Sequence, residues 1–318
     1  MKKALKIILI LFCIIVLGVI AAVAIFLRSK LGKINFEKVS REDIEINEGI
    51  EEELEGYTNI ILLGLDTRDD TFANSRSDCI MIFSINNETK EVNIVSVYRD
   101  SYLNIDNIGL DKITHAYAYG RAPLALSSIN KNLDLDITEY ITINFDSVKK
   151  IVDAIGGVEM TVTDAEATKI KGITTGGTYN LTGEQALAYG RIRKIDTDYA
   201  RTERMRNVVI KVFEKAKKLS YSELNKLVDE LLPSVSTNMT QKRILSYAAR
   251  LNKYNVKNSF GWPYEVKGYY PSAWYAAPVN LEANVKRLHE ELFPDIEYEV
   301  SSTVKDISNS IINKTGYR

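Results

Sequence analysis

Cysteine and histidine are nearly absent from these 318 residues, and each shortage removes a class of chemistry. Cys13 lies inside a long apolar run and Cys79 is the only other thiol, so no intramolecular disulfide can staple the chain. His115 and His289 are the only histidines, which excludes a histidine-rich metal centre. Excess charge of one sign is also lacking: the formal net charge is -1, which argues against a general electrostatic hold on nucleic acid. Neither G-x-S-x-G nor HExxH occurs, and the glycines of 172–178 lack the lysine of a P-loop and read as a turn. What remains is chemistry that works by positioning and fixed charge, without a covalent nucleophile.

The longest uncharged stretch runs from Ile7 to Leu27. Its 21 residues match the ~20 that cross a ~30 Å hydrocarbon core at ~1.5 Å each. No polar face interrupts it, unlike a buried amphipathic helix. Ala22-Val23-Ala24 resembles a signal-peptide cleavage site, but the apolar run continues past it, which favours a retained anchor. Lys2, Lys3 and Lys6 before the span balance Arg28, Lys30 and Lys33 after it, so charge does not orient it.

Residues 1–33 therefore read as a stub and transmembrane anchor, and the acidic stretch 34–56 as a linker with some helix. Residues 57–300 read as one large domain and 301–318 as a polar tail. Three Ile- and Val-rich runs, Asn59 to Leu65, Cys79 to Ile85 and Val92 to Val97, have strand length. Helices are expected over Ala116–Asn132, Phe145–Ile155, Tyr199–Leu219 and Leu281–Leu292, with others starting near Ser222 and Thr240. Strands alternating with helices predict an α/β fold, a three-layer α-β-α sandwich around one central mixed sheet.

Two groups of residues carry the chemistry. From Arg191 to Arg206 stand Arg191, Arg193, Lys194, Arg201, Arg204 and Arg206 against Asp196, Asp198 and Glu203. A solvated basic face is the ordinary reading of such a run. Five arginines to one lysine favour anion recognition, because the guanidinium fork matches phosphate oxygens. The second group sits at strand ends: Asp66 and Arg68 after the first run, Arg76 and Asp78 before the second, Arg99 and Asp100 after the third. Sheet ends are where α/β proteins bind ligands. Aspartates offer hard oxygens to Mg²⁺, and arginines neutralise phosphate. Lys112 and His115 follow closely enough to join them. Asp134-Leu135-Asp136 has the form of a metal-binding D-x-D, but its place between a helix and a strand favours plain loop solvation.

The ordered strings Asn59–Arg68, Arg76–Ile82, Val95–Asp100, Asp111–Gly120, Val152–Val158, Leu181–Tyr189 and Arg191–Arg204 resemble the LytR–CpsA–Psr family of cell-wall assembly proteins. The resemblance covers roughly residues 57 to 215. It implies a single-pass cell-membrane protein with its N-terminus cytoplasmic and its domain outside. The implied activity moves a glycopolymer, of teichoic acid or capsular type, from an undecaprenyl-pyrophosphate carrier to peptidoglycan through a phosphodiester. By position Asp66 and Asp78 resemble the family's Mg²⁺ carboxylates. Arg76, Arg99, Lys112, Arg191, Arg193 and Arg201 resemble its pyrophosphate ligands; Arg68 and Arg204 are added as candidates. Asp78 and Asp100 both stand as candidate bases, with Arg99 as their catalytic neighbour. The prenyl chain would need an apolar groove between the sheet and the helix near 116–132 or near 199–219. A polyprenyl-pyrophosphate pyrophosphatase and a non-catalytic lipid-head-group regulator are the alternatives. One departure matters: where the family often carries Gln-Gln, this chain has Met205-Arg206, and Met205 has no amide to donate.

Overall fold

The computed structural model describes residues 35–67, 72, 75–220, 223 and 235–317. The expected membrane span, Arg68 and the helix start near Ser222 lie outside them. Among the described residues no helix is long and apolar enough to cross a membrane.

A seven-stranded mixed sheet organises the molecule. In chain order its strands are β1 (Asn35–Phe36), β2 (Tyr57–Leu65), β3 (Ser77–Asn86), β4 (Glu91–Val97), then β7 (Glu139–Asn144), β10 (Val235–Thr237) and β11 (Asn255–Trp262). Three two-stranded ribbons complete the series: β5 (Tyr102–Ile105) with β6 (Gly109–Lys112), β8 (Val158–Val162) with β9 (Gly177–Leu181), and β12 (Val266–Tyr269) with β13 (Tyr275–Pro278). The sheet order is β1-β10-β7-β2-β3-β4-β11. Pairing is parallel at β1–β10, β7–β2 and β4–β11 and antiparallel elsewhere. Strand β2 reads as an apolar run from Ile60 to Leu65 because that part is covered on both faces.

Alternation along β2 divides the core. Ile61, Leu63 and Leu65 face the His115–Leu133, Leu281–Leu292 and Ser302–Thr315 helices. Leu62 faces the other side, with Val148, Leu187, Met205 and Val208 from the Phe145–Ala154, Gly183–Gly190 and Asp198–Ala216 helices. Helices thus cover both faces, as expected. Local chemistry starts several of them: Asn144, Thr182 and Thr197 each accept a backbone N–H of the following first turn.

Two expectations need correction. The stretch 34–56 is no free linker from residue 44 onward, since Ile44, Ile50 and Leu54 are buried in the main core. The segment expected as a polar tail forms the Ser302–Thr315 helix, whose Val304, Ile307 and Ile311 pack into the same core.

Candidate functional site

The ends of β2, β3 and β4 bring the predicted acid–arginine pairs together. The backbone N–H groups of Asp66 and Asp78 both donate to the Arg76 carbonyl, each at 3.1 Å, so the two aspartates flank one point. Arg99, just past β4, is the hub. Its Nη1 lies 2.5 Å from Asp78 Oδ2, its Nη2 3.2 Å from Asp198 Oδ2, and its Nε 3.4 Å from Asp100 Oδ2. Lys112 holds the other oxygen of Asp100 at 2.6 Å. Burial alone would lower the Arg99 pKa, but Asp78, Asp100 and Asp198 outweigh it and raise it above the ordinary value.

Beside this hub lies a cleft lined by Asp78, Cys79, Phe145, Gly190, Arg191, Arg193, Arg201, Thr202 and Met205. Arg201 is buried and its Nη2 meets Asp198 Oδ2 at 3.1 Å. Burial first, and then Arg99 and Arg193, push its pKa down, so the protein alone leaves this guanidinium short of negative charge. Arg193 is exposed and makes no ion pair among the described residues. Arg191 lies over the Phe145 ring at 4.4 Å and reaches Asp66 only at 3.9 Å. Three cations thus face one cleft with little to neutralise them, which is an anion site. Burial pushes the Cys79 thiol up to about 12, so it stays protonated and is no nucleophile.

Several candidates fall elsewhere. Arg204 turns away from the cleft: it meets Asp196 at 2.5 and 2.9 Å, Glu166 at 3.3 Å and the Ile192 carbonyl at 3.1 Å. It braces the loop before its helix, because successive i, i+3 positions still differ by about 60° around the axis. Arg76 contributes its carbonyl while its side chain is exposed outside the cleft. His115 pairs with Asp111 at 2.9 Å, outside the hub. Asp134 is neither a metal ligand nor a solvated loop residue: it is fully buried and accepts from Asn47, Tyr298 and Ser301. The expected groove against the His115–Leu133 helix is filled by core, including Ala122, Ala125, Leu126 and Ile129. The cleft opens under the Asp198–Ala216 helix instead.

Asp198 is the functional residue to which the sequence reading gave no role, naming it only among the acids of the 191–206 group. Its place one residue after the capping Thr197, three before Arg201, was the available signal. Its Oδ2 takes both Arg99 and Arg201, so it joins the hub to the cleft.

The donor set suits Mg²⁺ in one way only. Among the described residues no three acidic, histidine or cysteine side chains are arranged so that they could hold a metal ion, since the three aspartates around Arg99 close on its guanidinium, so a closed protein cage is not offered. Asp66 and Asp78, whose backbone N–H groups share the Arg76 carbonyl, offer two carboxylates to an ion that takes one or two of them and completes its shell with water and phosphate oxygens.

The fold and site define a mixed α/β protein with an arginine-lined anion cleft at the strand ends. The model of the LytR_cpsA_psr family matches residues 26–284, and the chain belongs to that family. It is 32% identical over 226 residues to the Bacillus subtilis (strain 168) polyisoprenyl-teichoic acid–peptidoglycan teichoic acid transferase TagT, covering 67% of this chain and 70% of that one. Identity to TagU of Bacillus cereus (strain AH820), which carries the same activity in its name, is 39% over 192 residues, 58% of this chain and 62% of TagU. The match therefore spans less than two thirds of TagU. Among solved structures, TagT bound to LIIa-WTA superposes with a TM-score of 0.65 at 27% identity, over 82% of this chain and 96% of TagT. The family protein YwtF (TagT) with bound octaprenyl pyrophosphate lipid shares the fold, with a TM-score of 0.56 at 23% identity over 83% and 92% of the two chains.

Proposed function

We propose that this protein transfers a glycopolymer from an undecaprenyl-pyrophosphate carrier to peptidoglycan, forming a phosphodiester. The observation that carries the reading is the convergence of Arg191, Arg193 and Arg201, poorly neutralised, on one cleft beside the Arg99 hub. A diphosphate bridging a lipid and a sugar brings the charge those guanidiniums lack. The names of TagT and TagU, polyisoprenyl-teichoic acid–peptidoglycan transferases, support the same chemistry.

In the reaction, an acceptor hydroxyl oxygen attacks the sugar-side phosphorus and a P–O bond to the lipid-side phosphate breaks. The glycan phosphate ends on the acceptor, the lipid leaves as its monophosphate, and the hydroxyl proton ends on that leaving phosphate. Arg201 and Arg193 stabilise the charge that moves onto the leaving oxygen. Arg99 holds Asp78, Asp100 and Asp198 in fixed positions around the phosphorus. Bound Mg²⁺, held by Asp66 and Asp78, would neutralise phosphate charge as a Lewis acid. Asp78 and Asp100 remain the candidate bases, although each already sits against a cation. The Ile7–Leu27 anchor would keep the domain on the outer membrane face, where a lipid-tailed substrate is presented.

Incubating the full-length protein with lipid-linked glycan, Mg²⁺ and peptidoglycan oligomers tests this. A glycan–phosphate–muramate product is expected. Free glycan phosphate and lipid monophosphate without coupled product would make the protein a pyrophosphatase, and tight lipid binding without turnover a regulator.

A further inference from the structure

Next to the anion cleft, sharing Thr202 with it and lined by Arg99 and Asp198, lies a second depression of different chemistry. It is lined by Tyr98, Tyr199 and Trp274 with Asp100 and Ala276. Its only cation, Arg99, is already matched by three carboxylates. Flat aromatic walls beside carboxylates fit a pyranose, whose C–H face lies on a ring while its hydroxyls donate to the acids. They do not fit a second phosphate.

The walls are built into the fold. Tyr98 and Tyr199 rest against each other with ring centroids 4.4 Å apart. Tyr98 lies over Gly261, where any Cβ would collide with its ring and hydroxyl. The Trp274 indole likewise sits over Gly268: a Cβ there would come within 2.8 Å of Nε1. The ribbon carrying Trp274 is tied to the hub, since the Ala276 N–H donates to the Asp100 carbonyl at 2.8 Å. Both ion pairs of Asp198 use Oδ2, which leaves Oδ1 without an ion-pair partner among the described residues.

We propose that this depression seats the acceptor sugar, with its attacking hydroxyl donating to Asp198 Oδ1. The inference rests on the transferase reading and adds where the acceptor sits. Phosphoryl transfer places attacking and leaving oxygens roughly in line. With the lipid-side phosphate leaving into the arginine cleft, the attacking hydroxyl enters from the opposite side of the Arg99–Asp198 ridge. That side is the aromatic depression.

Tryptophan fluorescence reports on it directly, because Trp262 is fully buried and Trp274 is the only other tryptophan. The full-length protein is titrated with a carrier-free peptidoglycan tetrasaccharide and, in parallel, with the carrier-free donor glycan. A saturable change with the peptidoglycan fragment alone is expected. No change, or a change with the donor glycan alone, overturns the assignment. In steady-state transfer, Trp274→Leu should raise the acceptor KM about tenfold and leave the donor KM unchanged; an unchanged acceptor KM overturns it. Asp198→Asn should lower kcat, and kcat equal to wild type refutes the hydroxyl contact. If the wild type binds the tetrasaccharide yet performs no transfer, the subsite stands and the transferase reading falls.

Discussion

Replacing Arg206 with methionine should make the unliganded protein more stable. Arg206 is 6% exposed, and among the described residues its guanidinium makes no hydrogen bond or ion pair. Its Nε is wholly buried without a partner. Burial pulls its pKa down, and the attraction of Glu203, too distant for an ion pair, only partly opposes this. An unpaired buried charge costs several kcal/mol, and replacing buried ions with apolar groups of similar volume often gains 1–4 kcal/mol. The tips of the side chain keep a little solvent, so about 2 kcal/mol is expected here. That is a rise of about 5 °C in Tm for a domain of this size. Cys79, which lines the arginine cleft, and Tyr98, which lines the aromatic depression, both act electrostatically on this charge, so a diphosphate bound in the cleft should offset part of its cost. The assay is thermal unfolding of wild type, Arg206→Met and Arg206→Gln in buffer free of multivalent anions, repeated with inorganic pyrophosphate. Pyrophosphate should raise the Tm of wild type more than that of either variant. An Arg206→Met protein less stable than wild type without ligand would show that the guanidinium is compensated, and the argument would fail.

Arg193→Ala should cut donor affinity about tenfold, read as the donor KM, with Tm unchanged, because an exposed unpaired side chain holds nothing together. Arg99→Ala should abolish turnover and also lower stability by about 3 kcal/mol in denaturant titration, since three carboxylates lose their common cation. Arg204→Ala should cost about 3 kcal/mol by freeing the buried Glu166 and the 192–196 loop, while protein that remains folded keeps its pyrophosphate affinity in a binding titration. His289 is buried, and burial lowers its pKa from 6.5 to about 4. The unfolded chain then takes up a proton that the folded one refuses, so stability is full above pH 6.5 and falls by about 3 kcal/mol on the way down to pH 4. Denaturant midpoints across that range should show the loss in wild type and less of it in His289→Phe.

The strand ends were legible because runs such as 59–65 and 92–97 are rich in Ile, Leu and Val, carry no charge, and are followed within two residues by Asp66 and Arg99, leaving those ends for charged chemistry. The terminal helix was harder to see. In Ser302–Thr315 only Val304, Ile307 and Ile311 keep the i, i+3, i+7 spacing, and the surrounding Ser, Asn and Lys make the average look like a tail. Ser301 at its N-cap and Gly316 beyond its end, in the left-handed region, were the signals available. The roles of Arg201 and Arg204 could not be separated locally. One meets the cleft and the other Asp196 and the Ile192 carbonyl, and what decides is how the 192–196 loop folds back against the helix, beside Glu166 from a remote part of the chain. Tyr98, Tyr199 and Trp274 meet only because three separate segments converge at the end of the sheet.

Near-neutral composition concealed what matters most at the site. A chain with net charge -1 still leaves, among the described residues, Arg193 without an ion pair, Arg201 sharing one carboxylate with Arg99 and Arg206 with none. Bulk charge counts every surface lysine equally, whereas a guanidinium in a low-dielectric pocket acts with several times the force of one in water. Met205 adds to this, because it lines the cleft without a hydrogen-bond donor. The cleft therefore recognises its anion by charge more than by directional contacts. The aromatic depression across the ridge does the opposite, with rigid ring faces and no spare cation. A reaction joining a charged, lipid-borne donor to a neutral sugar hydroxyl needs both kinds of surface within one bond's reach of the same phosphorus. Asp198, held by Arg99 on one side and Arg201 on the other, is the residue that keeps them there.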